Sequence, residues 1–439
     1  RVVNWGESLA GFRIERHGSR WSLLARASFN RARIDFGGTT DSDSFSDLPS
    51  PEGSPMMHSV RDWATLAAEG SWAGRNTRLS AGLEVDVREN AQRWRAHELV
   101  SQVLTPNTPP RFAEHTRQTV VSPYAETRLS LGNGWAAEAG LRVPLHRSNA
   151  VPAPRALLEK STGRFLLSVA AGRRVQFDAQ AEEPIEGSIT APLFLLDRPR
   201  RADVVGAAVE WRRLGVPFRG RARLRLEGFA KRYPDRPVLR SPDPTESRED
   251  LIAYFPRFDR VRGRSWGLSV SGLAELGGVL IQGSYTFQRA MEEYESGEWS
   301  PTSWDSPHTV KGIVSAPIGR GFVLNAVGQA YSGRAVTPVL ARIWEPAGAN
   351  HLASRYLLGD RNSARVPAYR RLDLGLRYEH DGSTIEWAVA AQVLNLLNRT
   401  NPIDYDWPQY FARLANGQDP GGHRAGLPIL PSVGVEVRW

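Results

Sequence analysis

Along the whole chain, short turns alternate with long polar connections, and the alternation never slips phase. The short turns fall at 17–20, 73–76, 132–134, 161–164, 214–218, 276–278, 318–320 and 380–383. The long connections fall at 37–59, 89–116, 175–201, 233–261, 290–306, 334–366 and 397–427, with one short connection, 147–151, on their side. The short turns are rich in Gly, Asn and Asp, the residues that tight hairpins need for positive φ. In an antiparallel sheet this rhythm puts every tight turn at one end and every long loop at the other, the pattern of membrane β-barrels. A soluble sandwich has no reason to keep it, and loops above ~12–15 residues are uncommon in compact domains unless they work.

The segments between the turns read with a period of two. Leu79, Ala81, Leu83, Val85 and Val87 alternate with Ser80, Gly82, Glu84, Asp86 and Arg88, and Leu372, Leu374, Leu376 and Tyr378 with Asp373, Gly375, Arg377 and Glu379. The last twelve residues repeat the pattern, with Val433, Val435, Val437 and the terminal Trp439 on one face and Gly434, Glu436 and Arg438 on the other. Aromatics mark the apolar face near strand ends at Trp21, Trp72, Trp135, Trp211, Trp266, Tyr378 and Trp439. Aromatic girdles are expected at the two membrane interfaces of a barrel.

No stretch approaches the ~18 consecutive apolar residues of a helical membrane span. A closed sheet is the other spanning solution, because backbone groups in lipid must bond to each other. Its alternation makes the sequence polar on average, in keeping with a mean hydropathy of −0.39. The net charge of +9 does not indicate a nucleic-acid partner: 53 of the 56 basic residues are Arg, spread along the chain without a basic cluster. Arginines that line a lumen or meet lipid and lipopolysaccharide phosphates account for the charge as well. There is no cysteine, and so neither a disulfide framework nor a thiolate metal site.

The reading gives an all-β, antiparallel transmembrane β-barrel with about 17 strands. Its first and last strands run toward the same end, and single-chain bacterial barrels close with an even number. The expectation is therefore a partial barrel domain over 1–439, with at least one strand before Arg1, and an edge at 428–439 that lacks its closing neighbour.

Five ordered segments resemble the C-terminal barrel of TonB-dependent receptors of the Gram-negative outer membrane: Trp304–Val310, Tyr331–Val339, Pro367–Leu374, Val393–Pro402 and Leu427–Trp439. The resemblance implies a 22-stranded barrel filled by an N-terminal plug, with the plug and the first barrel strands outside this chain. It further implies uptake of a scarce, large solute, of ferric-siderophore, cobalamin or oligosaccharide type, energised by TonB in the periplasm. The terminal strand with Val433, Val435, Val437 and Trp439 looks like the signal that outer-membrane assembly machinery reads. A passive porin or export channel is the alternative function.

No nucleophile, base or cofactor motif occurs, so neither an enzyme nor a cofactor is expected. The nine histidines include no pair at metal-ligand spacing, and the trio Met56, Met57 and His58 has no second cluster to complete a soft-metal site. Asn395 and Asn398 are read as strand terminators that bond to backbone. Candidate solute-contact residues lie on two aromatic-rich long connections; the first reads equally as a solvated surface loop, and the aromatics of the second as pins that hold the loop against the barrel mouth. One carries Tyr294, Trp299 and Trp304 among Glu292, Glu293, Glu295 and Glu298; the other carries Tyr405, Trp407, Tyr410 and Phe411.

Overall fold

The structure is a computed structural model that describes residues 2–37, 57–95, 111–180, 193–214, 220–239, 258–294, 297–346, 352–381, 386–405 and 423–438. Seventeen strands of eight or more residues make up most of one large sheet. They are β1 (Val2–His17), β2 (Trp21–Gly37), β3 (Met57–Ala73), β4 (Thr77–Arg95), β5 (Arg111–Gly132) and β6 (Trp135–Arg142). Then follow β7 (Ala153–Thr162), β8 (Phe165–Gln180), β9 (Leu193–Leu214), β10 (Arg221–Leu239), β11 (Phe258–Leu276) and β12 (Val279–Glu293). The last are β13 (His308–Gly319), β14 (Phe322–Tyr331), β15 (Tyr369–Asp381), β16 (Glu386–Leu394) and β17 (Leu430–Arg438). Three short strands, Leu145–His146, Asn149–Ala150 and Trp299–Pro301, bring the sheet to twenty. No helix occurs among the described residues.

Hairpin chemistry sets the tight ends. Asn133 and Gly134 (φ 49° and 78°), Gly277 and Gly278 (58° and 86°), and Arg320 and Gly321 (54° and 78°) occupy consecutive positive-φ positions. Two such residues in a row match the right-handed twist of the flanking strands. The strands reach further into the long connections than the hydropathy pattern shows. The stretch 175–201 reads as one connection, yet β8 continues to Gln180 and β9 begins at Leu193. Polar pairs carry this extension: Asp178 accepts from Arg88 at 2.6 Å and from Arg200 at 3.3 Å. Apolar alternation stops where an outer face leaves lipid, whereas backbone pairing does not.

The chain divides into two compact units, Arg1–Leu158 with Ala170–Val204 and Tyr233–Arg262, and Glu159–Val169 with Val205–Arg232 and Gly263–Trp439. In the first unit β1 to β6 form an antiparallel meander in which Trp21 faces Trp72, and Trp72 faces Leu79. One face of the meander is apolar and exposed, with Leu23, Leu66, Trp72 and Leu79 each more than 40% accessible. The opposite face is polar, and its charges are matched there. Glu84 is held between Arg26 (2.7 Å) and Arg142, Tyr124 donates to Glu69 (2.6 Å), and Trp63 and Thr65 donate to Asp86.

The second unit repeats the scheme over parts of β9 to β11 and over β12 to β17. Trp266, Leu268, Ile281, Tyr285, Leu374, Leu376 and Trp387 lie exposed on the apolar face. On the polar face Glu210 is 1% accessible and holds Arg212, Arg223 and Arg225 around its carboxylate. Arg377 bridges Glu379 and Glu436. At the chain end Val433, Val435 and Val437 are 74%, 68% and 47% accessible, as an outward lipid face requires, while Trp439 lies outside the described residues. β17 pairs antiparallel with β16, and β1 with β2.

Candidate ligand-capture region

The long connections of the second unit are built rather than loose. After Glu293 the chain doubles back, with Gly297 (φ 77°) donating to the Tyr294 carbonyl at 2.8 Å. The return strand sets Glu293 opposite Trp299, Glu292 opposite Ser300 and Met291 opposite Pro301. Four residues on, Asp305 has no accessible side-chain surface. One of its carboxylate oxygens accepts the Ala290 backbone N–H at 2.7 Å; the other meets the Arg365 guanidinium and, at 3.5 Å, Arg289. Arg365 also donates to the backbone carbonyls of Asp305 (2.6 Å) and Gly333 (3.1 Å).

Asp305 and Arg365 thus tie two long connections together, 290–306 and 334–366, and neighbouring residues complete the joint. Ser306 donates to the Ser332 carbonyl at 2.6 Å, and Asn362 to the Pro301 carbonyl at 2.7 Å. Gly333 lies so close to the Val366 carbonyl that any Cβ there would collide with it. The segments 304–310, 331–339 and 364–374, remote in sequence, meet through these bonds. The strand end behaves as read: Asn395 donates to the carbonyls of Arg399 (3.0 Å) and Leu427 (2.9 Å), and Asn398 accepts from the Ile429 N–H (3.2 Å).

This joint positions the expected contact residues differently from one another. Tyr294 donates its phenol to Glu292 at 2.7 Å, and the Arg361 guanidinium lies 3.8 Å from its ring centroid. Trp304 is 56% accessible beside the buried Asp305. Trp299 shares its face with Glu293 and stacks under Arg264, 4.1 Å from the ring centroid; Arg264 also lies 5.6 Å from Trp266. Trp299 therefore sits on the apolar face with Trp266 and apart from Tyr294. Tyr405 ends a short strand, Pro402–Tyr405, and its side chain lies outside the described residues, as do Trp407, Tyr410 and Phe411. Met56 and Glu295 lie outside them too, with the side chains of Met57 and His58. Among the described residues no three His, Asp or Glu converge as metal ligands.

Arg361 is the residue that sequence reasoning passed over. It carries no motif, and bonds such as Asp305–Arg365 and Asn362–Pro301 hold its segment beside Tyr294. His308 is likewise structural: its ring bonds to Tyr285 at 2.9 Å, and its N–H donates to Ser332.

A family model described as "TonB dependent receptor-like, beta-barrel" matches residues 2–396. No curated protein matches the sequence. Among solved structures, the chain resembles BauA, the ferric preacinetobactin receptor of Acinetobacter baumannii, with a TM-score of 0.64 and 14% identity over 99% of this chain and 63% of that one. It also resembles the pyoverdine receptor FpvA of Pseudomonas aeruginosa PAO1 (TM-score 0.61, 12% identity, 99% and 62%). The ferric-catecholate import receptor Fiu of Escherichia coli K12 is similar as well (0.60, 11%, 99% and 64%). At these identities the likeness concerns the fold. The chain spans less than two thirds of the length of each of these three receptors. All are receptors by name, not enzymes.

Proposed function

Starting from a chain that belongs to the TonB-dependent receptor family, β-barrel proteins of the outer membrane, we propose that it is the barrel of a receptor that takes up a scarce ferric-siderophore-like solute. The full receptor would draw its energy from TonB, through a plug domain and TonB-binding segment outside this chain. The observation that carries the reading is the Tyr294–Arg361 pair, locked in place at the long-connection end by Asp305 and Arg365. An arginine stacked on an aromatic ring offers a flat cationic surface. Such a surface suits an anionic, partly aromatic iron chelate. Trp304 adds an exposed aromatic nearby in sequence. The loop with Tyr405, Trp407, Tyr410 and Phe411 is the second proposed contact surface. The names of the three similar receptors support the solute class and leave the particular chelator open.

The test is radioiron uptake under iron limitation, with ferric hydroxamate, ferric catecholate and ferric mixed-ligand chelates offered one at a time. A strain carrying the receptor should accumulate iron from at least one of them, and a protonophore should abolish the accumulation. Arg361→Ala with Tyr294→Ala should weaken binding about thirtyfold, as loss of an anchoring pair worth ~2 kcal/mol does. Uptake that persists in the presence of protonophore would make the protein a passive channel.

A further inference from the structure

The apolar face of the first unit carries a groove of about 950 Å³ near its short-turn end. Its volume falls within the ~300–1,000 Å³ typical of pockets that hold small molecules. Its floor follows from register. Leu23 pairs with Gly70, Gly70 with Ala81, Ala81 with Ala125, and Ala125 with Leu141. Three small residues in one row across three strands thus lie between two leucines. Trp21 and Trp72 occupy the next row toward the turns and wall that side.

Continuing the same row onto β1, the residue opposite Leu23 is Arg16. It is exposed beside the apolar Phe12, Ile14 and Leu23 of the same face, with its guanidinium 5.9 Å from the Trp21 ring centroid. A cation is costly beside lipid unless it meets an anion or reaches the interface. The adjoining turns bring more positive charge. Arg20 lies in the first, Arg75 in the second, and the Ala73 N–H donating to the Arg20 carbonyl at 2.7 Å sets the two turns side by side. Among the described residues Arg16, Arg20 and Arg75 form no ion pair, whereas the charges on the opposite, polar face are largely matched.

We propose that this groove binds one anionic glycerophospholipid of the periplasmic leaflet. An acyl chain lies over Gly70, Ala81 and Ala125, the two tryptophans hold the glycerol level, and Arg16, Arg20 and Arg75 bind the phosphate. The short-turn end faces the periplasm in outer-membrane barrels, so this leaflet supplies the ligand. Charge selects the headgroup class: each arginine facing an anionic lipid adds roughly fivefold in affinity.

The experiment is native mass spectrometry of the full receptor, purified from outer membranes, stripped of lipid and exposed to phosphatidylglycerol or phosphatidylcholine. The wild type should retain one phosphatidylglycerol and little phosphatidylcholine. Arg16→Gln/Arg20→Gln/Arg75→Gln should bind phosphatidylglycerol about a hundredfold more weakly. Ala81→Leu, which fills the floor and leaves the charges intact, should also lose the adduct. Equal retention of the two lipids, or a triple variant or Ala81→Leu that binds like the wild type, overturns the site. If the triple variant does not assemble, tryptophan quenching of the wild type by acyl-brominated lipids decides. Stronger quenching by the phosphatidylglycerol form at equal mole fraction supports the site, and equal quenching overturns it.

Discussion

Asp305 lies between an exposed tryptophan and a serine, in a stretch that reads from sequence as loop, yet its carboxylate is wholly buried. Burial of a charge is tolerable only because two guanidiniums and a backbone N–H meet it. Asp305→Ala leaves the Ala290 N–H unsatisfied and Arg365 and Arg289, each about a third exposed, without that counter-charge, and is expected to cost about 1–3 kcal/mol, read as a lowered unfolding midpoint of the purified barrel. Because Arg365 and Asn362 place Arg361, solute affinity should fall in the same variant. Glycine gives a matched pair of tests. Gly333 has no room for a Cβ against the Val366 carbonyl, whereas nothing lies within 4 Å of the Cβ position at Gly328. Gly333→Ala should therefore lower the midpoint, and Gly328→Ala should leave it unchanged or raise it, since alanine restricts the unfolded chain more than glycine does.

Among the elements, the hairpins were the most legible part of the chain. Gly132-Asn133-Gly134 and Gly277-Gly278 announce positive φ by residue type, and period two fixes which side chains share a face. The long connections were not legible, because their order comes from bonds across tens of residues, such as Arg365 to Asp305, that no local pattern encodes. The same limit hid the upper ends of β8 and β9, where polar residues pair as strands without an apolar stripe. Arg320 shows a third case. It takes φ 54° without being Gly or Asn, and a left-handed conformation costs such a residue about 1–2 kcal/mol. Asparagine tolerates that conformation better. Arg320→Asn is therefore expected to raise the stability of the β13–β14 hairpin by up to about 1 kcal/mol, visible as slower unfolding in denaturant.

For the whole molecule, the decisive property is that the long strands turn an exposed apolar face to lipid, and β17 states it most plainly. Val433 and Ser432 are neighbours on one strand, paired with Ala391 and Gln392 of β16, yet they point to opposite faces. Val433 is 74% accessible, and in the outer membrane that surface meets hydrocarbon. An arginine on the lipid face of a barrel costs about 2–4 kcal/mol near the bilayer midplane and less toward the interfaces. On the polar face the same side chain finds water or polar partners. Val433→Arg is thus expected to deplete the folded, heat-modifiable receptor in the outer-membrane fraction, and Ser432→Arg to leave most of it in place. Assembly machinery that reads the alternating face of this strand would sharpen the contrast, because the first change breaks the apolar row Val433, Val435, Val437 and the second does not. Equal depletion by both would show that the face carrying the charge does not decide the fate of the receptor, and would overturn the lipid-facing assignment of Val433.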